Sequence, residues 1–169
     1  MNFTLLALFV LILVIVILRK QGLKRSKNIA LQKGQRLRPI QMEIIEPLVE
    51  LLVIGALLWT DMTTNSLHLW AASIGLIPGV LIGLYRAKIM YVRAEPKQGG
   101  VVLTRSTAEY IALALLLVVK VIAEYSGNTS GIINVIITGL LALVVIESIT
   151  RAAVITIRYY KDKKISPTN

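Results

Sequence analysis

The sequence predicts an all-α membrane protein, a bundle of five transmembrane helices with its N-terminus outside the cell and its C-terminus inside. The 169 residues are 56% hydrophobic and their mean hydropathy is +0.73, which is more than a soluble domain of this length needs. The apolar residues also form uninterrupted runs, whereas a soluble helical bundle shows narrow apolar stripes. One integral membrane domain, covering residues 1–169, is therefore predicted.

Basic residues give the predicted orientation. Of the 19 Lys and Arg in the chain, all except Lys120 lie in three blocks, and the alternate connections between apolar runs hold none. Cytoplasmic loops collect Lys and Arg because their translocation is costly. The blocks therefore mark the predicted cytoplasmic segments, which are residues 19–39, 86–106 and 151–169.

The first predicted span covers residues 3–18. Its length is roughly 24 Å at about 1.5 Å per residue, slightly less than the hydrocarbon core of about 30 Å. Arg19 and Lys20 can reach the headgroups and cover the difference. A cleaved signal peptide is the alternative, but no Lys or Arg precedes the run and no A-x-A cleavage site follows it. The run is therefore predicted to be an anchor.

The second predicted span, residues 40–60, is interrupted by three glutamates and by Pro47. A helix that is kinked at this proline would still be long enough to cross. The other three runs are more uniformly apolar, and aromatic residues lie near their ends, as they do at membrane interfaces. These runs predict the remaining spans, which are residues 67–85, 108–125 and 131–150.

A short cytoplasmic β-hairpin is predicted within the second basic segment. Residues 89–92 and 101–104 are β-prone, and the intervening Glu95–Gly100 is rich in turn residues. Two strands alone are only marginally stable in water, so the hairpin would have to lie against the helices or the membrane. An irregular loop is the alternative.

Three glycines in the third predicted span form a G-x-x-x-G-x-x-x-G pattern, a glycine zipper. Gly75, Gly79 and Gly83 share one helix face, where the missing side chains allow another backbone to approach closely. The pattern predicts a helix contact within the chain, with a self-association face as the alternative. Pro78 is expected to bend this helix.

Charged residues inside the predicted spans are spaced for pairing. Lys120 and Glu124 are four residues apart, and so are Glu147 and Arg151, so each pair can neutralise itself on its own helix. A proton or ion path is the functional alternative, because unpaired charges in lipid are costly and usually serve a purpose.

Three carboxylates, Glu43, Glu46 and Glu50, share a face of the second predicted helix. Hard oxygen ligands suit Mg²⁺ or Ca²⁺, but pairing with the basic residues just upstream needs no metal and is the preferred interpretation. The basic block lacks interleaved aromatic residues and adjoins a membrane span, which argues against nucleic acid. Anionic lipid at the cytoplasmic face is the predicted partner.

The remaining residues carry no recognisable catalytic chemistry. The chain has no cysteine and one histidine, His68, and it lacks the nucleophile-elbow, Walker A and zincin motifs. We therefore predict no catalytic residue, cofactor or metal. The predicted function is that of a non-enzymatic accessory or interaction protein, with a membrane-protein partner or a second copy of itself. The alternative is a small ion or solute carrier that uses the intramembrane carboxylates.

Residues 71–125 resemble a known family. A glycine-rich span followed by GLYRAKIMYV, a short turn, VVLTRS and another apolar span is similar to the CcdC-like family of small bacterial multi-pass membrane proteins. The resemblance implies a bacterial cytoplasmic membrane and a largely unassigned role. The family name points to cytochrome c maturation, and the lack of cysteine argues against a direct thiol or haem-attachment role. The residues that carry the resemblance are Gly79, Gly83, Arg86, Gly100, Arg105 and Ser106.

Overall fold

The computed structural model of the chain describes residues 35–95, 99–104, 108–125 and 131–165. The first predicted span and most of the first basic segment lie outside this part. The described residues form four helices and one three-stranded sheet. In chain order these are β1 Gln35–Pro39, α1 Ile40–Thr64, α2 Ser66–Met90, β2 Tyr91–Glu95, β3 Gly100–Thr104, α3 Ala108–Tyr125 and α4 Ile132–Ile165.

The predicted bundle of five transmembrane helices is wrong. Within the described ranges, only α2 and α4 are long and apolar enough to cross a membrane. Glutamates interrupt α1 throughout its first half. Among the described residues of α3, the apolar helical stretch is shorter and covers Leu113–Ile122. Run length in the sequence therefore overestimated the number of spans.

Helix ends also differ from the predicted boundaries. α4 continues to Ile165, so most of the segment predicted as a basic tail after residue 150 is helical. α1 continues to Thr64, and the single residue Asn65 separates it from α2. The Asn65 side chain accepts a hydrogen bond from the Leu67 amide at 3.0 Å, which satisfies one of the free amides at the start of α2.

The helices pack around one apolar core. α2 and α4 run parallel, since successive glycines of α2 meet successive turns of α4. α1 is antiparallel to both, and α3 returns the chain between the sheet and the start of α4. α1, α3 and α4 supply the buried residues of the core, which are Ile54, Leu57, Leu113, Leu117, Ile137, Leu141 and Val145.

The sheet has the strand order β1–β3–β2, and both pairings are antiparallel. β2 and β3 form the hairpin, although β2 begins at Tyr91 because α2 extends through Met90. The irregular-loop alternative is therefore wrong. β1 was not predicted. It approaches β3 so closely that a Cβ atom on Gly100 would lie 2.7 Å from the carbonyl oxygen of Arg38.

The sheet docks on the last turns of α4. A second apolar cluster joins Val101 and Leu103 of β3 to Ile155 and Tyr159 of α4. The Tyr91 hydroxyl also donates a hydrogen bond to Asp162. Burial, reinforced by this carboxylate, raises the pKa of Tyr91 above its ordinary value. The hairpin thus has the supporting helix that an isolated pair of strands would lack.

Candidate functional site

Several charged side chains are buried in this structure, while many large apolar side chains are exposed. Lys120 is fully buried, and Arg151 is 3% exposed, whereas Ile74, Ile77 and Leu81 on α2 are 62–70% exposed. Charged side chains are almost never fully buried unless they are paired. The buried polar residues fall into two clusters, one near each end of the helices.

The first cluster takes one residue from each helix, and we call it the four-helix cluster. Lys120 Nζ of α3 donates to Asp61 Oδ2 of α1 at 2.6 Å. Thr138 Oγ1 of α4 donates to the same oxygen at 2.8 Å. His68 Nδ1 of α2 lies 2.8 Å from Thr138 Oγ1. These contacts join the four helices through polar groups.

The hydroxyl of Thr138 fixes the direction of these hydrogen bonds. It has one proton and two acceptors within reach, Asp61 and the carbonyl of Asn134 at 3.0 Å. The charged acceptor forms the stronger bond, so the proton is assigned to Asp61. Thr138 then accepts a hydrogen bond from Nδ1–H of His68. Each of the four side chains thus has a hydrogen-bond partner in the cluster, and the positive charge of Lys120 balances the negative charge of Asp61.

The structure gives Lys120 a partner that the sequence did not predict, Asp61. Asp61 was assigned to a loop, but it lies on the last turns of α1 because this helix extends to Thr64. The side chain of Glu124 lies outside the described part, so the predicted Lys120–Glu124 pair stays a prediction. Nothing in the sequence indicates that Thr138 and His68 belong to a buried polar cluster.

The second cluster combines carboxylates with guanidinium groups, and we call it the carboxylate–guanidinium cluster. Arg38 of β1 binds Glu43 at 2.9 Å and also binds Glu46. The sequence predicted that these glutamates pair with the basic residues just upstream, and for Glu43 and Glu46 the partner is Arg38. Its members are Arg38, Glu43, Glu46, Glu50, Arg86, Glu147, Ser148 and Arg151.

Glu147 is shared between two helices. Its Oε1 lies 3.6 Å from Arg151 Nη1 on α4 and 3.3 Å from Arg86 Nη1 on α2. The predicted pair is present, and Arg86 adds a contact between helices that the spacing did not indicate. Within the described ranges, no group of three or more His, Cys, Asp or Glu is arranged to hold a metal ion.

Glu50 has a different environment from the other carboxylates. It is 6% exposed, and its side chain forms a hydrogen bond with Ser148. Glu50 belongs to α1, which is not one of the two candidate membrane spans. Burial is the main cause that raises the pKa of Glu50 to about 7. Glu46 and Glu147 also raise it, while Ser148 and Arg151 lower it.

The zipper glycines lie against α4 within the chain. Cβ atoms on Gly79 and Gly83 would each lie 2.8 Å from a backbone carbonyl oxygen, of Leu143 and Glu147 respectively. A Cβ on Gly75 would overlap the carbonyl oxygen of Gly139. Only hydrogen fits at these three positions, so the glycines set the distance between α2 and α4.

Comparisons of the chain with protein-family models, with curated proteins and with solved structures found no match. The resemblance of residues 71–125 to the CcdC-like family stays a hypothesis.

Proposed function

We propose that this chain is an integral membrane protein, anchored by α2 and α4, that acts as a non-enzymatic accessory or interaction component. The observation that carries the proposal is the exposed apolar surface, together with the buried charged side chains. The outward face of α2 presents Trp70, Ile74, Ile77 and Leu81, each more than 60% exposed. An apolar surface of this length suits lipid, because water would penalise it.

The arrangement of the buried charges supports an accessory role over a carrier. A carrier requires polar groups that converge on one path through the protein. Here Thr138 and Ser148 are ten residues apart on α4, about 15 Å along the helix. Leu141 and Val145 of the apolar core lie between them. Within each cluster, charged groups also form ion pairs with one another, which supports a structural role for them.

The four-helix cluster has the residue types of a catalytic site but not its access. His68 is 1% exposed, and Lys120 and Thr138 are 0% exposed. Each of these three groups has a hydrogen-bond partner within the cluster, which for Lys120 is Asp61. This burial supports the non-enzymatic assignment.

The proposed location is the cytoplasmic membrane of a bacterium, with the sheet on the inner side. The location follows from the family resemblance, and the orientation follows from the basic residues. Exposed lysines at the end of α4, Lys161, Lys163 and Lys164, suit anionic lipid headgroups. A membrane protein or a second copy of the chain is the proposed partner, and nucleic acid is not.

Cysteine labelling tests the membrane assignment. Thr63 and Lys163 are both exposed and lie at opposite ends of the helices. We expect Thr63→Cys to react with an impermeant thiol reagent in intact cells, and Lys163→Cys to react only after lysis. Equal labelling of both positions in intact cells would exclude crossing by α2 and α4.

Flux measurements test the accessory role against the carrier. We expect vesicles with the purified protein to leak protons, Na⁺ or K⁺ no faster than empty vesicles. The accessory role would be overturned if the wild type supported ion flux and a folded variant with Lys120→Met and Asp61→Leu did not.

A further inference from the structure

Glu50 is the exception in the carboxylate–guanidinium cluster. Arg38 binds Glu43 and Glu46, and Arg86 and Arg151 bind Glu147. Among the described residues, no Arg or Lys forms an ion pair with Glu50. Its Oε2 atom is buried and has no hydrogen-bond partner there. Ser148 is its hydrogen-bond partner on α4.

The charges around Glu50 come from every neighbouring element. Glu46 lies one turn away on α1, and Glu147 lies across the interface on α4. Both repel an ionised Glu50, while Arg151 attracts it. Arg86 of α2 and Arg38 of β1 act mainly on the other carboxylates, which they contact directly. An ionised Glu50 would therefore be buried, without an ion pair and near two like charges, which is strongly unfavourable.

A proton resolves this conflict. The neutral carboxyl has no repulsion from Glu46 or Glu147, and its desolvation costs much less than that of the anion. We propose that Glu50 is a proton-binding group that holds α1 against α4 when protonated and weakens this contact when it ionises. The inference concerns the packing of α1 on α4, and it stands whether or not the chain has an accessory role.

The expected pH dependence has a definite sign. The native state binds the proton more tightly than the unfolded chain, whose glutamates titrate near 4.5. This contribution to stability is therefore fully present below pH 4.5 and is lost as the pH rises through about 7. The unfolding equilibrium constant should change on the order of 100-fold from this group across that interval.

Unfolding of the purified full chain in lipid nanodiscs tests the proposal. We expect the Tm of the wild type to fall between pH 5 and pH 8, and Glu50→Gln, which mimics the neutral carboxyl, to remove this part of the fall. Glu95→Gln is the matched control, because Glu95 is a partly exposed glutamate of the sheet that pairs with Arg93. It should leave the pH profile unchanged. Identical profiles for wild type and Glu50→Gln would overturn the proposal.

Infrared spectroscopy gives a second readout that does not depend on unfolding. At pH 6 the wild type and Glu95→Gln should show the carbonyl band of a protonated carboxyl group, and Glu50→Gln should lack it. Ser148→Ala removes a hydrogen bond that favours the ionised form, so the band should persist to higher pH in this variant. A wild-type spectrum without the band at pH 6 would contradict the proposal even if Glu50→Gln failed to fold.

Discussion

A single methyl group on Gly79 should separate α2 from α4. The new Cβ would lie 2.8 Å from the carbonyl oxygen of Leu143 and 3.1 Å from Cβ of Ile146, while ordinary contacts begin near 3.4 Å. The closest atom belongs to the backbone of α4, so no rotamer change can relieve the overlap. The helices must therefore move apart by several tenths of an ångström, and the neighbouring glycine contacts must loosen with them.

Gly55 of α1 provides the matched control for this change. A Cβ on Gly55 would meet only Leu51 Cδ1, at 3.7 Å, which is an ordinary contact. Replacing glycine by alanine in a helix interior favours the helix by about 1 kcal/mol in both variants. Overpacking adds a cost of about 1–3 kcal/mol at Gly79 alone. Gly55→Ala should therefore be the more stable variant by about 1–3 kcal/mol.

Thermal unfolding in mild detergent measures this difference. Each kcal/mol corresponds to about 2–4 °C in Tm for a chain of this size. A larger step on the same helix should widen the gap: Gly79→Leu should prevent folding or assembly, whereas Leu81→Val, at a 62% exposed position, should have little effect. If Gly79→Ala proved as stable as Gly55→Ala, the close contact between α2 and α4 would be refuted.

Two further predictions concern polar contacts. Lys120→Met should destabilise the protein by about 3–5 kcal/mol, because it leaves the Asp61 carboxylate, only 12% exposed, without its cation, and adding Asp61→Leu should recover most of this loss. A double variant no more stable than the single one in detergent unfolding would contradict that pairing. Because the pKa of Tyr91 is raised, its hydroxyl stays protonated in the folded protein at pH 10. The stability that this protonated hydroxyl contributes is lost only at still higher pH, where Tyr91 ionises in the folded protein. At pH 10 the wild type should therefore show no more tyrosinate absorbance than Tyr91→Phe. A larger tyrosinate signal in the wild type at that pH would contradict the contact with Asp162.

Local sequence patterns predicted the parts of the fold that depend on neighbouring residues. The four-residue spacing of the glycines is a property of one helix, and so is the pairing of Glu147 with Arg151. The turn-rich segment before Gly100 similarly indicated the hairpin. In each case the signal lies within a few residues, because helix and hairpin geometry bring these positions together.

Contacts between distant elements could not be read from the sequence in the same way. Asp61 and Lys120 are 59 residues apart, and helix spacing indicates only partners within a few residues of Lys120. β1 could not be predicted because its partner β3 lies more than 60 residues away, and its two arginines belong to a segment whose basic residues indicate only a cytoplasmic location. The predicted number of spans was wrong because the length of an apolar run does not show whether the helix that contains it is long and apolar enough to cross a membrane.

The glycine contacts between α2 and α4 do not by themselves determine how far one helix is shifted along the other, and the buried polar groups do. The three glycines meet α4 at Gly139, Leu143 and Glu147, again every four residues. Sliding one helix by four residues, about 6 Å, would re-form two of these three contacts, so the glycine face alone tolerates more than one alignment. The same slide would break the contacts of His68 with Thr138 and of Arg86 with Glu147. The polar side chains at the two ends therefore select a single alignment of two surfaces that would otherwise fit in several.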